Sequence, residues 1–408
     1  MPGRSPSASA PDGSFERDRS GPRLAPDGRY DVIIAGASFG GLAVAQHLRA
    51  GPRLDGQPRC RVLVLDRQAI GEGVTSACAA PVRIVEQAGA GGAIQQVHEA
   101  LVIHTPGGRA TWPLPEPFCT FDYRRYCQDA AAAAGIHAPS ATFGAGGSGA
   151  VGGIEFRLAS VHGRDGQCVV TSAGAFEGRI LVDATGPRAA LAGPRRPRYA
   201  AFGLESEVGH RVEPGLHFFF VPEVRDGYAW AFPCGEGTRF GVLSYRGRTK
   251  LREALGRFMA RFGTRPGGLH GGYLTTGWAR GAADPVFVIG DAAGQCLPLS
   301  GEGIRTAVLA GARCGALLHR VLDGTMTLDA ARATYRAFIA ADRRRYRALL
   351  AGNLLLLGWP QGWLGWAARV LARPAVRRWF FAHYLGIFGT YVTLQPARPD
   401  GQVTLHGA

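Results

Sequence analysis

A short apolar run, Val32 to Ala35, meets a turn built from Gly36, Ser38, Gly40 and Gly41, and then an apolar segment from Leu42 to Leu48. The run is branched, brief and does not alternate, which predicts a buried parallel strand, and the segment after the turn predicts a helix. Gly36 permits the sharp turn, and Gly41 lets the helix pack close to the strand. The free N–H groups of the first helical turn then face an anionic group such as a pyrophosphate. The middle glycine of the usual fingerprint is Ser38 here, which adds a Cβ where that group should approach. Arg61 to Leu65 predicts a second strand, and Asp66 at its end, with Arg67 beside it, is placed to meet a ribose. The loop from Gly51 to Pro58 delays its arrival.

Far downstream, Pro285 to Ile304 again runs from a strand into a helix. Here Gly290 and Asp291 leave the strand, Pro298, Gly301 and Gly303 shape the turn, and Ile304 begins the helix. Asp291 can hydrogen-bond ribityl hydroxyls, and the Gly301 to Ile304 backbone at a helix start can hold negative charge on the N1/O2 edge of a flavin. Small or apolar residues at Ile304, Ala307, Val308, Gly311, Gly315 and Leu318 let that helix pack tightly on a sheet. Either segment alone also fits a plain turn or a capped helix. Together they fit a bound FAD.

With these two segments the chain resembles the FAD-dependent hydroxylase-type flavoproteins, and within them the geranylgeranyl reductase family. Gly227 to Pro233, with Tyr228, Trp230, Phe232 and Pro233 in order and Phe240, Gly241 and Val242 after a short turn, looks like that family's Tyr-x-Trp-x-Phe-Pro motif. Ile180 to Gly186, with Asp183, resembles its strand and turn beside the FAD adenosine. Ser76 to Cys78, before a predicted helix at Val82 to Gln87, sits where several members place a cysteine near the flavin. Departures are Ser38, Leu243 for a second glycine after Gly241, Cys234 after the Phe-Pro pair, and a family arginine that Arg124 matches only with a shift of one position. The match spans most of residues 30 to 325.

The resemblance implies an α/β fold: a Rossmann-like FAD-binding domain with an inserted antiparallel β-sheet substrate domain and a helical C-terminal region. The FAD domain would comprise residues 29–100, 120–200 and 281–325, with strands toward the substrate domain at 101–119, the substrate sheet at 201–280 and the helical region at 326–408. The 408 residues, 46% hydrophobic, suffice for this. Residues 1–28, rich in Pro, Ser, Gly and charge with no apolar core, predict a disordered tail rather than a signal peptide. A cytoplasmic location follows.

Eight scattered cysteines show no Cys-x-x-Cys and no metal-ligand spacing, so reduced thiols and no metal are expected. Against 31 acidic residues stand 46 basic ones, nearly all arginine because Lys250 is the single lysine. The excess suits diphosphate or phospholipid head groups, or is solvated surface; no aromatic–basic motif points to nucleic acid. Leu216 to Val221, Tyr228 to Pro233 and Arg239 to Tyr245 predict an antiparallel sheet, with Tyr228, Trp230 and Phe232 on one face and Ala229 and Ala231 on the other. Those aromatics suit an apolar substrate channel or a filled core. Past Thr327 the chain reads as helical. Leu349 to Trp379 holds four of the seven tryptophans and Arg369, Arg373 and Arg377 at helical spacing, broken by Pro374. No apolar run reaches the roughly 20 residues needed to span a bilayer. An interfacial, peripheral membrane contact and a helical cap on the channel fit equally.

The resemblance implies hydride delivery from reduced flavin to a polyprenyl double bond, with Cys78 or a bound water as the proton donor. No second dinucleotide fingerprint appears, so NADPH would visit without its own domain, or a ferredoxin-like protein would carry electrons. Rival readings are a monooxygenase acting on an aromatic or polyketide substrate, and a non-enzymatic lipid-binding flavoprotein. A flavin halogenase would need a lysine between flavin and pocket, where Lys250 is poorly placed.

Overall fold

The structure, a computed structural model, describes residues 24–48, 60–136, 154–193, 199–277, 282–283, 285–359 and 361–389. Its first part runs β1 (Leu24–Ala35), α1 (Phe39–Leu48), β2 (Val62–Asp66), β3 (Ala79–Pro81), α2 (Val82–Gln87), β4 (Ile94–Thr105), β5 (Gly108–Phe121) and α3 (Tyr123–Ala133). Then come β6 (Ile154–Leu158), β7 (Val161–Asp165), β8 (Cys168–Thr171), β9 (Gly174–Asp183), β10 (Tyr199–Val208), β11 (Leu216–Phe219), β12 (Gly227–Cys234), β13 (Gly237–Ser244), α4 (Leu251–Ala260) and β14 (His270–Thr276). The last part is β15 (Ala282–Ala283), β16 (Val286–Val288), α5 (Ile304–Leu322), α6 (Leu328–Ala341), α7 (Arg343–Gly358), α8 (Gln361–Ala372) and α9 (Pro374–Leu385).

One sheet has the order β15-β16-β9-β1-β2-β6, with β16, β9, β1, β2 and β6 parallel and the β7–β8 hairpin extending from β9. Parallel strands are covered on both faces, which is why Val32 to Ala35 and Val62 to Leu65 are apolar without alternation. Val32, Ile34, Val62 and Val64 pack on the helices α1, α3 and α5, while Ile33, Ala35, Leu63 and Leu65 pack toward Val161, Val169 and Phe176 of the hairpin side. α5 lies against α1 at glycine contacts. A Cβ on Gly311 would fall 2.4 Å from the Gly40 carbonyl oxygen, and one on Gly315 2.7 Å from that of Val44.

The second sheet has the order β14-β10-β13-β12-β11-β4-β5-β3 and is antiparallel except where β11 runs parallel to β4. The alternation expected in β12 is present: Ala229 and Ala231 join Phe240, Val242 and the α4 residues Leu255, Phe258 and Met259 on one side, and Tyr228, Trp230 and Phe232 cluster on the other. The chain is thus a Rossmann-type α/β unit with a largely antiparallel sheet and a helical C-terminal region, α6 to α9.

Among the element boundaries that differ from the sequence reading, two bear on the division of the chain. Leu24 to Gly28 already belongs to β1 rather than to a tail, whose other residues, 1–23, lie outside the described residues together with the 51–58 loop. The strands expected within 101–119 are a longer hairpin, Ile94–Thr105 and Gly108–Phe121, built wholly into the second sheet.

Candidate functional site

A cavity of about 730 Å³ lies between the two sheets, and it collects most of the residues that the sequence singles out. Gly36, Ser38, Gly40, Asp66, Arg67, Gly186, Gly290, Asp291, Gly301, Gly303 and Ile304 line one part; Cys78, Tyr228, Trp230 and Phe232 line another. Gly41, Arg124, Asp183, Pro298 and Pro233 are not on its surface.

The turn after β1 is held by requirements that only glycine meets. Gly36 has φ +107°, and a Cβ there would sit 2.2 Å from the Ala184 carbonyl oxygen; one on Gly41 would sit 1.9 Å from that of Gly36. Gly41 therefore acts beneath the turn. The Asp66 carboxylate braces the turn by accepting from the Ala37 N–H at 2.8 Å. The hydroxyl that Ser38 brings receives a hydrogen bond from the Tyr123 hydroxyl at 3.1 Å, so α3 absorbs this departure from glycine.

Asp183 is fully buried and accepts from the N–H groups of Thr185, Leu191 and Ala192 and from the Thr185 hydroxyl. It fixes the Ala184–Arg188 turn, whose Thr185, Gly186 and Arg188 face the cavity. Arg124 instead pairs with Glu72 at 2.9 Å with more than half of its side chain exposed. Pro233 uses its carbonyl to receive the Thr120 hydroxyl at 2.6 Å, and Pro298 is buried in the loop that the Gly301 N–H closes onto the Leu297 carbonyl at 3.0 Å.

Asp291 presents a carboxyl to the cavity from the one-turn helix Gly290–Ala293. Burial pushes it up to about 7, with a backbone hydrogen bond from Thr275 pulling the other way. A carboxyl so desolvated wants donors, and sugar-type hydroxyls are suitable ones. The neighbouring loop, Leu299 to Gly303, is clamped to the C-terminal region. Arg305, completely buried, forms a two-pronged ion pair with Glu302 at 2.8 and 3.0 Å and donates to the carbonyls of Tyr384, Leu385 and Ile387. Tyr384 reaches the Ser300 hydroxyl, and Tyr228 donates to the Ser300 carbonyl.

Cys78 is buried and adopts φ 50°, a conformation uncommon outside glycine. Its thiol donates to the Ser76 carbonyl at 3.3 Å, and burial pushes it far up, with Arg239 opposing. Arg239 holds the loop in place by donating to the carbonyls of Ala77 and Phe121 and pairing with Glu207. The Trp230 indole lies flat on Gly241, where a Cβ would come within 2.0 Å of the ring, and donates to Glu205 at 2.7 Å. Glu205 also meets His270 at 2.9 Å. Sequence reasoning missed Arg188, Glu205, Arg239 and Arg305. Arg188 alone left a signal, two residues after Gly186.

Beyond the aromatic wall the cavity continues between the β4–β5 hairpin and α8–α9, past Leu101, Ile103, Leu114, Leu364, Ala367 and Phe381. α8 is fastened there by the Trp112 indole, which donates to the Ala368 carbonyl at 3.2 Å. Lys250 caps α4 beside Glu253, away from the cavity surface. Among the described residues no group of acidic, histidine or cysteine side chains is arranged to hold a metal.

The glycine turn at the start of α1, the donor-seeking Asp291 and the open backbone at Gly186 fit a flavin dinucleotide. No family model matches the chain, and no curated protein matches it by sequence. Solved structures match its fold. A geranylgeranyl bacteriochlorophyll reductase-like protein from Thermoplasma acidophilum superposes with a TM-score of 0.72 at 15% identity, covering 87% of this chain and 96% of that one. The flavin-dependent brominase Bmp2 gives 0.60 at 16%, covering 88% and 93%. PqsL of Pseudomonas aeruginosa, a probable FAD-dependent monooxygenase, gives 0.56 at 19%, covering 89% and 100%. At these identities the likeness is one of fold, a Rossmann-type α/β architecture shared with those proteins.

Proposed function

We propose that this chain is an FAD-dependent oxidoreductase that saturates carbon–carbon double bonds in a polyprenyl lipid. The observation that carries this reading is the continuity of one cavity, from the glycine cradle past the aromatic wall into an apolar arm under α8 and α9. FAD, when bound, would supply the hydride chemistry. The α1 N-terminus and the Gly36–Gly41 turn would hold its pyrophosphate, Asp66 and Arg67 its ribose end, and Asp291 its ribityl hydroxyls. Glu302 and Arg305 keep the Leu299–Gly303 loop in one conformation. Tyr228, Trp230 and Phe232 exclude water and align the chain of the substrate, which for an unactivated alkene is the larger part of catalysis. The Cys78 thiol, held neutral by burial, would keep a proton on Sγ at the cavity wall, by the resemblance of its position. Reducing equivalents would come from NADPH or a ferredoxin-like protein.

The fold is shared with a probable monooxygenase and a brominase, and fold alone does not select chemistry. The apolar arm favours a long hydrocarbon over an aromatic or polyketide substrate for hydroxylation, and the position of Lys250 argues against halogenation. A non-enzymatic lipid-binding flavoprotein would bind FAD that no physiological donor reduces at a useful rate. Ala367→Phe tests the arm. FAD content should be unchanged, reduction of a geranylgeranyl chain should fall at least tenfold, and a geranyl chain should be spared. Equal rates on the long chain for both proteins would overturn the assignment of the arm.

A further inference from the structure

The helices whose inner faces line the apolar arm carry an unusual outer face. In α8, Leu364, Ala367, Ala368 and Leu371 face the cavity, whereas Trp363 and Trp366 are 60% and 53% exposed. In α9, Phe380, Phe381 and Tyr384 face inward, and Trp379 is 60% exposed. Leu354, Leu355 and Trp359 at the end of α7 are exposed as well. Large apolar side chains concentrated on one part of a surface mark a contact. The charge on the same helices is of one sign: residues 343–389 contain eight arginines and no aspartate or glutamate. Arg343, Arg344, Arg347, Arg369, Arg373 and Arg378 are exposed.

We propose that the outer face of α7–α9 docks on an anionic phospholipid bilayer. Tryptophan at head-group depth with arginine reaching phosphates is the composition of an interfacial helix. Among the described residues no helix is long and apolar enough to cross a membrane, so these helices lie on the surface. A second copy of this chain is a poor occupant, because pairing the face with itself would bring like charges together. An acidic protein would satisfy the arginines but has no particular use for four exposed indoles. Docking stands independently of the reaction. Its consequence, that a membrane-borne prenyl substrate reaches the cavity from the bilayer side, rests on the proposed reductase function.

The test is sedimentation of the full-length protein with sucrose-loaded vesicles of phosphatidylcholine, with and without phosphatidylglycerol, followed also by tryptophan emission. Binding to the anionic vesicles with a blue-shifted emission, and little binding to neutral ones, is expected. Arg373→Gln and Arg378→Gln should each weaken it roughly fivefold, and Trp363→Ala with Trp366→Ala should weaken binding and diminish the blue shift while leaving FAD content and thermal midpoint unchanged. Equal binding to neutral vesicles, no binding to either, or a dimer that the tryptophan variants dissolve would each overturn the proposal. Vesicle binding is read without turnover, so a failed reductase assay leaves this result intact, and the reverse.

Discussion

Replacing Asp291 by asparagine should stabilise the protein while impairing its site. Burial raises this carboxyl from 3.8 to about 7, so the folded state holds a proton that the unfolded chain releases. Stability from this group is therefore greatest below about pH 4 and falls as the pH rises to about 7, after which the loss is complete. Three decades of proton affinity correspond to about 4 kcal/mol. Water entering the cavity of the FAD-free protein screens the charge, which brings the figure to roughly 2 kcal/mol. Urea denaturation of the FAD-free protein and of Asp291→Asn, at pH 4.5 and pH 8, measures it. The variant should be about 2 kcal/mol more stable than the parent at pH 8 and only about 1 kcal/mol more stable at pH 4.5, yet should retain less FAD, having lost a carboxylate acceptor. A stability difference that is the same at both pH values would refute the reasoning.

Gly241→Ala would drive a Cβ into the Trp230 ring, and should cost about 1–3 kcal/mol with a shift in tryptophan emission as the indole leaves Glu205. Arg305→Leu leaves Glu302 buried without its cation and should cost about 3–5 kcal/mol; limited proteolysis should then cut near Tyr384 to Ile387, and resistance equal to the parent's would contradict the clamp. Cys78→Ala should keep full FAD content and lose most alkene reduction, and unchanged reduction would sink the proton-donor assignment.

The cofactor-facing turns were legible because steric demand is written into them: Gly36 and Gly41 each stand where a Cβ would strike a carbonyl, and no other residue type substitutes. The strand β12 was legible through period-two alternation. β10 was not, because it carries Glu205, whose partners Trp230 and His270 come from other strands, Glu207, which pairs with Arg239 of β13, and Ser206, whose hydroxyl accepts from the Gly267 N–H. β5 was read only in part because Pro113, Pro115 and Pro117 argue against a strand; they sit exposed, where the register with β4 shifts between His98 and Ala100, so the ladder does not need their missing N–H groups. Arg124 shows the limit of motif transfer. One residue of shift on a helix turns a side chain by about 100°, and here it points to Glu72.

The central claim is tested most directly under anaerobic conditions. The purified protein should carry FAD; reduced by dithionite and given geranylgeranyl diphosphate or a polyprenyl lipid, it should return to the oxidised spectrum as the product gains two hydrogens for each double bond. A flavin that stays reduced until oxygen enters, and then yields an oxygenated product from a supplied aromatic, would contradict the account and assign the site to hydroxylation.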